Sequence, residues 1–359
     1  MTKFFQDILK EPVELSKSLN FTLGAGRGAL DEAANILKKA QHIYLVGIGS
    51  SYSAGLAMST FFHAAGRPVV LCDAAEFLYY GEVVQNAAVV MLSRSGKSGE
   101  IVKALPKLKA RGAKIVAITN TPESPLAQGA DVTLEMRASF DHAVSVSMYS
   151  AMALIGGLLA VATEDKLTDS LAAELQNAFT ALGTKLNSWK EQIESSGWLD
   201  AKAPIYLLAR GSSFASANEA RLLFEEAAKL PATALSSSNF RHGPQEVIRR
   251  GMRFAVWIDK EKSRKEDLAM AQDLTKLGAK VLTIGQDLPA TAGDIVLQVP
   301  SIPTAWQFVL DIVPIQMAAE CLARFGNQNC DEFRLCAYIV EDEGGLIGPD
   351  TKLEEVMTR

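Results

Sequence analysis

The strongest constraint in this sequence is that it repeats itself. Residues 112–136 read GAKIVAITNTPESPLAQGADVTLEM, and residues 278–299 read GAKVLTIGQDLPATAGDIVLQV. Upstream, IYLVGIGSSYSAGLA from Ile43 is matched by IYLLARGSSFASANEA from Ile205. The spacing is nearly kept: 162 residues separate Gly49 from Gly211, and 166 separate Gly112 from Gly278. Matching order and near-equal offset mark a duplication, so the chain folds as two similar units in tandem.

Within each unit, apolar runs of strand length alternate with helical patterns. Strands are expected at Ile43–Val46, Val69–Cys72, Ala88–Leu92 and Ile115–Thr119, and again at Ile205–Leu208, Phe254–Ile258 and Val281–Ile284. Helices are expected near residues 52–65, 98–111 and 145–163. Continuous apolar strands separated by helices make βαβ units, and therefore a parallel sheet covered on both faces. The expected fold is α/β, with two tandem doubly wound parallel-sheet domains at residues 40–165 and 200–328. A helical segment (1–39) precedes them, amphipathic helices (166–199) connect them and a tail (329–359) follows. A chain of 359 residues has room for two such domains.

Composition narrows the partners. Hydrophobic residues make up 48% and charged residues 21%, enough to bury a large core. The net charge of −5 is spread along the chain without basic runs, so no nucleic-acid partner is expected. An anionic ligand must then be held by a local site. The first twenty residues are charged throughout and lack a signal-peptide core. The longest apolar stretch, Met148 to Thr163, is short for a bilayer and rich in small residues, so it reads as a buried helix and no membrane association is expected. Cys72, Cys321, Cys330 and Cys336 show neither CxxC spacing nor adjacent histidines. They read as reduced thiols in a cytoplasmic protein, with no metal or cofactor implied.

Ligands of such sheets bind beyond the carboxyl ends of the strands. After the strand AVVML comes Ser93-Arg94-Ser95-Gly96-Lys97-Ser98-Gly99-Glu100 and then a helix. Hydroxyls and backbone N–H groups at a helix N-terminus suit a phosphate monoester; an ordinary capped turn is the alternative. The matching loop of the second unit, Lys260-Glu261-Lys262-Ser263-Arg264-Lys265, has no glycine. One anion site per chain is therefore expected, built by the first unit. Arg94 and Lys97 make its loop basic enough that a sulfonated sugar is an alternative to a phosphorylated one. Gly49-Ser50-Ser51 ends the neighbouring strand and either adds a hydroxyl to the same ligand or is only a tight turn. Arg210, before Gly211-Ser212-Ser213, adds a guanidinium to the second mouth.

For proton transfer, the helix Phe214 to Lys229 carries Glu219 and Glu226 on one face and Glu225 on another. Each also reads as an ordinary solvated charge. Leu222 and Leu223 give Glu226 an apolar flank that raises its pKa. Of four histidines, His42 and His63 sit at segment edges, His142 lies in a loop, and His242 stands in a Gly-Pro turn suited to acid–base work.

The loop SRSGKS is similar to the Ser-x-Ser-Gly-x-Ser/Thr phosphate loop of sugar isomerase (SIS) domains. The run ARGSSFASANEARLLFEEAAKLPATALSSSNFRHGP resembles the second-domain signature of the isomerase half of glucosamine-6-phosphate synthases. The resemblance implies that Ser51, Ser93, Arg94, Ser95 and Ser98 bind the phosphate. It further implies that Glu226 moves a proton between C1 and C2, and that His242 opens the sugar ring in a partner subunit's site, making the protein a homodimer or larger with shared active sites. The departures matter too. The sequence shows no glutaminase domain or initial cysteine, so use of ammonia from glutamine is not expected. Leu223 stands where the synthases have a lysine, the tail stretch Asp331–Tyr338 has none, and the extension has only Lys352. Amine transfer through a Schiff base loses its handle. Three functions fit: an aldose–ketose isomerase working through a cis-enediol, a deglycase or deaminase of an amino or Amadori sugar phosphate, and a sugar-phosphate sensor.

Overall fold

The structure, a computed structural model, describes residues 1–200, 204–342 and 344–346; Lys352 lies outside the described residues. Two helices open the chain, α1 (Lys3–Leu23) and α2 (Arg27–Lys39). The first unit then runs β1 (Ile43–Gly47), α3 (Ser50–Ala64), β2 (Val70–Asp73), α4 (Ala74–Tyr79), β3 (Ala88–Leu92) and α5 (Gly99–Ala110). It closes with β4 (Lys114–Thr119), α6 (Pro125–Gly129), β5 (Val132–Glu135) and α7 (Ser147–Thr163). Two helices, α8 (Asp169–Gly183) and α9 (Leu186–Glu194), lead to the second unit. That unit runs β6 (Ile205–Ala209), α10 (Ser213–Glu226), β7 (Ala232–Ser236), α11 (Ser237–Arg241), β8 (Arg253–Ile258) and α12 (Arg264–Lys276). It ends with β9 (Lys280–Gly285), β10 (Ile295–Gln298), α13 (Phe308–Asp311) and α14 (Val313–Phe325).

Each sheet has five strands, ordered β2-β1-β3-β4-β5 and β7-β6-β8-β9-β10, with every pairing parallel. The two units thus share one topology, as the repeat demands. The pleat explains the continuous apolar strands. In β3, Ala88, Val90 and Leu92 face the core common to both halves, while Val89 and Met91 face an outer cluster under α4 and α5. In β8, Ala255 and Trp257 face the common core, and Phe254, Val256 and Ile258 face an outer cluster with α12. Both faces are covered, and apart from Arg253, buried at the start of β8, both strands are wholly apolar.

The halves are joined along their equivalent helices. α3 packs on α10 and on α7, and all seventeen residues of α7 are buried. Small residues let it fit: a Cβ on Gly157 would lie 2.8 Å from the Trp306 ring and 3.1 Å from Phe61. No helix among the described residues is long and apolar enough to cross a membrane. Helix α1, charged in sequence, lies against α7, α8 and α14 with Asp7, Glu11 and Glu14 buried.

Candidate active site

A cavity of about 270 Å³ opens at the carboxyl ends of β1 and β3, where the order of the first sheet reverses. Two helix N-termini point into it. Gly49, in the left-handed region at φ +58°, turns β1 into α3 and brings Ser50 and Ser51 to the wall. Ser93, Arg94, Ser95 and Ser98 line the wall between β3 and α5. Gly96 is required twice over in this loop: its φ is +63°, and a Cβ would lie 2.1 Å from Ser124 Oγ. Internal bonds hold the loop in shape. The Gly96 amide donates to Ser93 Oγ at 3.1 Å and the Lys97 amide to Ser95 Oγ at 3.2 Å, while the Ser93 and Ser98 hydroxyls lie 3.3 Å apart. These groups, with the positive ends of α3 and α5, form a donor-rich cradle.

The opposite wall carries the carboxylate. Glu226 ends α10, half-buried, with its carboxyl pushed up to about 7. Loss of solvent is the main cause, and the guanidinium of Arg94 pulls against it. Standing at the negative end of the helix acts in the same direction as burial. Lys229 does not pair with this carboxylate; its Nζ donates to the backbone carbonyls of Glu226 and Glu332. Glu225 turns away and pairs with Arg221 at 2.5 Å. Glu219 is wholly buried outside the cavity wall, its carboxyl pushed up to about 8 by desolvation, with the Ser50 and Ser53 hydroxyls opposing. Three glutamates on one helix thus occupy three environments.

The roof comes from the tail, whose contribution could not be read from the sequence. Phe333, Cys336, Tyr338 and Val340 line the cavity. Arg94 Nη2 donates to the Tyr338 carbonyl at 2.7 Å, and its guanidinium lies 4.2 Å above the Tyr338 ring. Tyr338 in turn donates its hydroxyl to the Asp141 carbonyl at 2.7 Å, and the Gly99 amide donates to Val340 at 3.1 Å. Asp141 itself accepts from the amides of Val146, Ser147 and Met148, capping α7. The only available signal for Asp141 was an acid six residues before an apolar helix, a weak one.

Two expected site residues stand elsewhere. Arg210 lines no part of this cavity; its Nε pairs at 3.2 Å with fully buried Asp267. His242 follows α11 on the exposed surface of the second unit, away from these walls. The second mouth is filled from within. Asp259 Oδ1 accepts from the amides of Glu261, Lys262 and Ser263 at 2.8, 2.5 and 3.3 Å, so a protein carboxylate occupies the place that the serine loop keeps open in the first unit.

Comparison with known proteins agrees with this architecture. The family model for the SIS domain matches residues 36–162 and 199–319. The glutamine–fructose-6-phosphate aminotransferase (isomerizing) of Pyrococcus horikoshii is 25% identical over 346 residues, covering 94% of this chain and 58% of the relative. That of Corynebacterium glutamicum is 28% identical over 333 residues, covering 88% and 53%. The chain therefore spans little more than half the length of these relatives. Among solved structures, the C-terminal domain of the Francisella tularensis glucosamine–fructose-6-phosphate aminotransferase superposes with a TM-score of 0.84 at 21% identity, covering 92% of this chain and 98% of that one. The tagatose-6-phosphate ketose/aldose isomerase of Escherichia coli gives 0.79 at 19% identity, covering 92% and 95%. At such identities the superpositions speak to the fold alone. The family model covers both halves of the repeat, and the chain belongs to the SIS domain family, with homology to the isomerase part of the glutamine–fructose-6-phosphate aminotransferases.

Proposed function

We propose that this protein is an aldose–ketose isomerase of a phosphorylated sugar. The observation that carries the reading is Glu226, half-buried with its carboxyl near 7, across one cavity from the serine loop. A base that takes a proton from C2 and returns it to C1 works best with a pKa near the operating pH. In this reading Ser51, Ser93, Ser95 and Ser98 hold the phosphate, and the cis-enediol forms beside Glu226. Arg94, whose guanidinium also holds the roof, supplies positive charge between the two. His242 opens the ring in the cavity of a second copy, which suits its exposed position and makes the working form a homodimer. C–N bond cleavage of an amino sugar phosphate by the same glutamate is the second reading, favoured by a second cleft of about 420 Å³ that shares Glu226, Phe333 and Cys336 with the cavity.

The test is exchange. Isomerisation run in deuterium oxide should place deuterium on the carbon beside the carbonyl. Glu226→Gln, which keeps the size and removes the base, should lower turnover by about 10²- to 10⁴-fold and abolish that exchange. Full activity in the Gln variant would move the base elsewhere.

A further inference from the structure

Between β5 and α7 the chain runs from Met136 to Val146 without regular structure, with Ala138, Asp141, Ala143 and Val144 buried. The backbone of such a segment must find partners outside any helix or strand. Helix α1 supplies several of them. Asp7, Glu11, Glu14 and Ser18 follow at spacings of four, three and four, so they share one face of the helix. Glu14 accepts from the Ser139 amide and hydroxyl at 2.7 and 2.8 Å, and Asp7 accepts from the His142 amide at 2.7 Å. Ser18 donates to the Met136 carbonyl at 2.6 Å, and Glu11 accepts from Ser150 just beyond the segment. Lys10 at 3.0 Å and Lys17 at 3.5 Å complete the surroundings of Asp7 and Glu14. Apolar residues would pack this face at less cost, because each buried carboxyl loses water and is compensated only by such bonds.

The stretch that α1 holds in place has donors to spare. Ala143 and Ser145 line the cavity. The amides of Val146, Ser147 and Met148 all end on Asp141, but those of Ala143 and Ser145 have no hydrogen-bond partner among the described residues. The Ser145 hydroxyl has none either. Donors left free at a cavity wall are available to a ligand. The serine loop already serves the phosphate, so these donors fall to the oxygens of the sugar chain. The same segment anchors the roof, through the Tyr338 hydroxyl on the Asp141 carbonyl. We propose that Asp7 and Glu14 are positioning residues of the sugar site, holding this segment so that Ser145 bonds an oxygen of the sugar chain. The inference rests on the reading above, in which the serine loop holds the phosphate.

Calorimetry on the full chain with two inert probes tests it. The probes are inorganic phosphate and glucitol 6-phosphate, which has no carbonyl and cannot isomerise. Replacing Asp7 and Glu14 together by Ala should weaken glucitol 6-phosphate about tenfold and leave phosphate binding unchanged. Asp7→Asn with Glu14→Gln keeps an oxygen that can accept from each amide, and should restore most of the loss. Ser145→Ala should weaken the same probe alone. Added to the Ala pair it should cost little more, because that hydroxyl is already out of place. The proposal is overturned if the Ala pair binds glucitol 6-phosphate as the parent does, if both probes weaken alike, or if the Ser145 loss adds in full. It is equally overturned if the parent binds glucitol 6-phosphate no better than phosphate. Should the Ala pair fail to fold, Asp7→Ala and Glu14→Ala taken singly are held to the same outcomes. Binding of neither probe by the parent removes the serine-loop reading itself, and this inference with it.

Discussion

Arg94 occupies a position between two demands. Its guanidinium is the foremost charge holding down the Glu226 carboxyl, and it also clasps the roof through the Tyr338 carbonyl and ring. If the ionised carboxylate is the working form, kcat/KM falls as the pH drops through about 7. Replacing Arg94 by Met removes a cation that lowers this pKa, so the acid limb should move to higher pH. A merely structural loss would depress the rate at all pH values and leave the limb in place. Of the residues in this site, Glu226 was legible because helical spacing and its leucine flank are local facts. Tyr338 was not, since its place depends on a tail folding back over a loop 244 residues away. Arg210 was misread for a related reason: a basic residue at a strand end suggests a ligand, and its pairing with buried Asp267 is visible only in three dimensions.

The two strand-end loops of the repeat show how one element acquires or loses a site. In the first unit, serine hydroxyls and α5 leave the mouth open to an anion; in the second, Asp259 fills it. Replacing Ser95 and Ser98 together by Ala should raise KM about 10- to 100-fold, the scale of one or two lost hydrogen bonds to a charged group, with kcat much less affected. A fall in kcat at unchanged KM would separate the loop from binding. The missing glycines of the second loop announced this asymmetry, although Asp259 as its occupant went unnoticed. Most strands were equally plain, because runs such as AVVML and RFAVWI are buried on both faces. β7 escaped for the opposite reason: it is a half-exposed edge strand of Ala, Thr, Leu and Ser, with no buried face to impose a pattern.

At the scale of the molecule, the helix before the repeat ties both halves together. Glu11 on α1 is buried between Ser150 of α7 and Gln316 of α14, with its carboxyl pushed up to about 8 by desolvation. A carboxyl whose folded pKa exceeds its unfolded value stabilises the fold at low pH and ceases to as the pH rises through the folded value. Glu11→Gln removes this dependence, so the stability of the variant relative to the parent, followed by thermal melts, should improve between pH 5.5 and pH 9 by about 3 kcal/mol. A constant difference across that range would show that Glu11 is not the titrating group. Assembly carries its own test. Mixing inactive Glu226→Gln with inactive His242→Asn should restore part of the activity if sites are shared between copies, and no rescue would make each site self-contained.

The tail has one more attachment. Asp331, two residues before Phe333 of the cavity wall, caps α1 by accepting from the amides of Lys3 and Phe4 at 2.9 and 2.8 Å. The first turn of the chain and the cover of the cavity therefore hang from one carboxylate. Fraying at one should be felt at the other, so a fluorescent or isotopic label on the opening residues would report whether the cavity is covered without touching it.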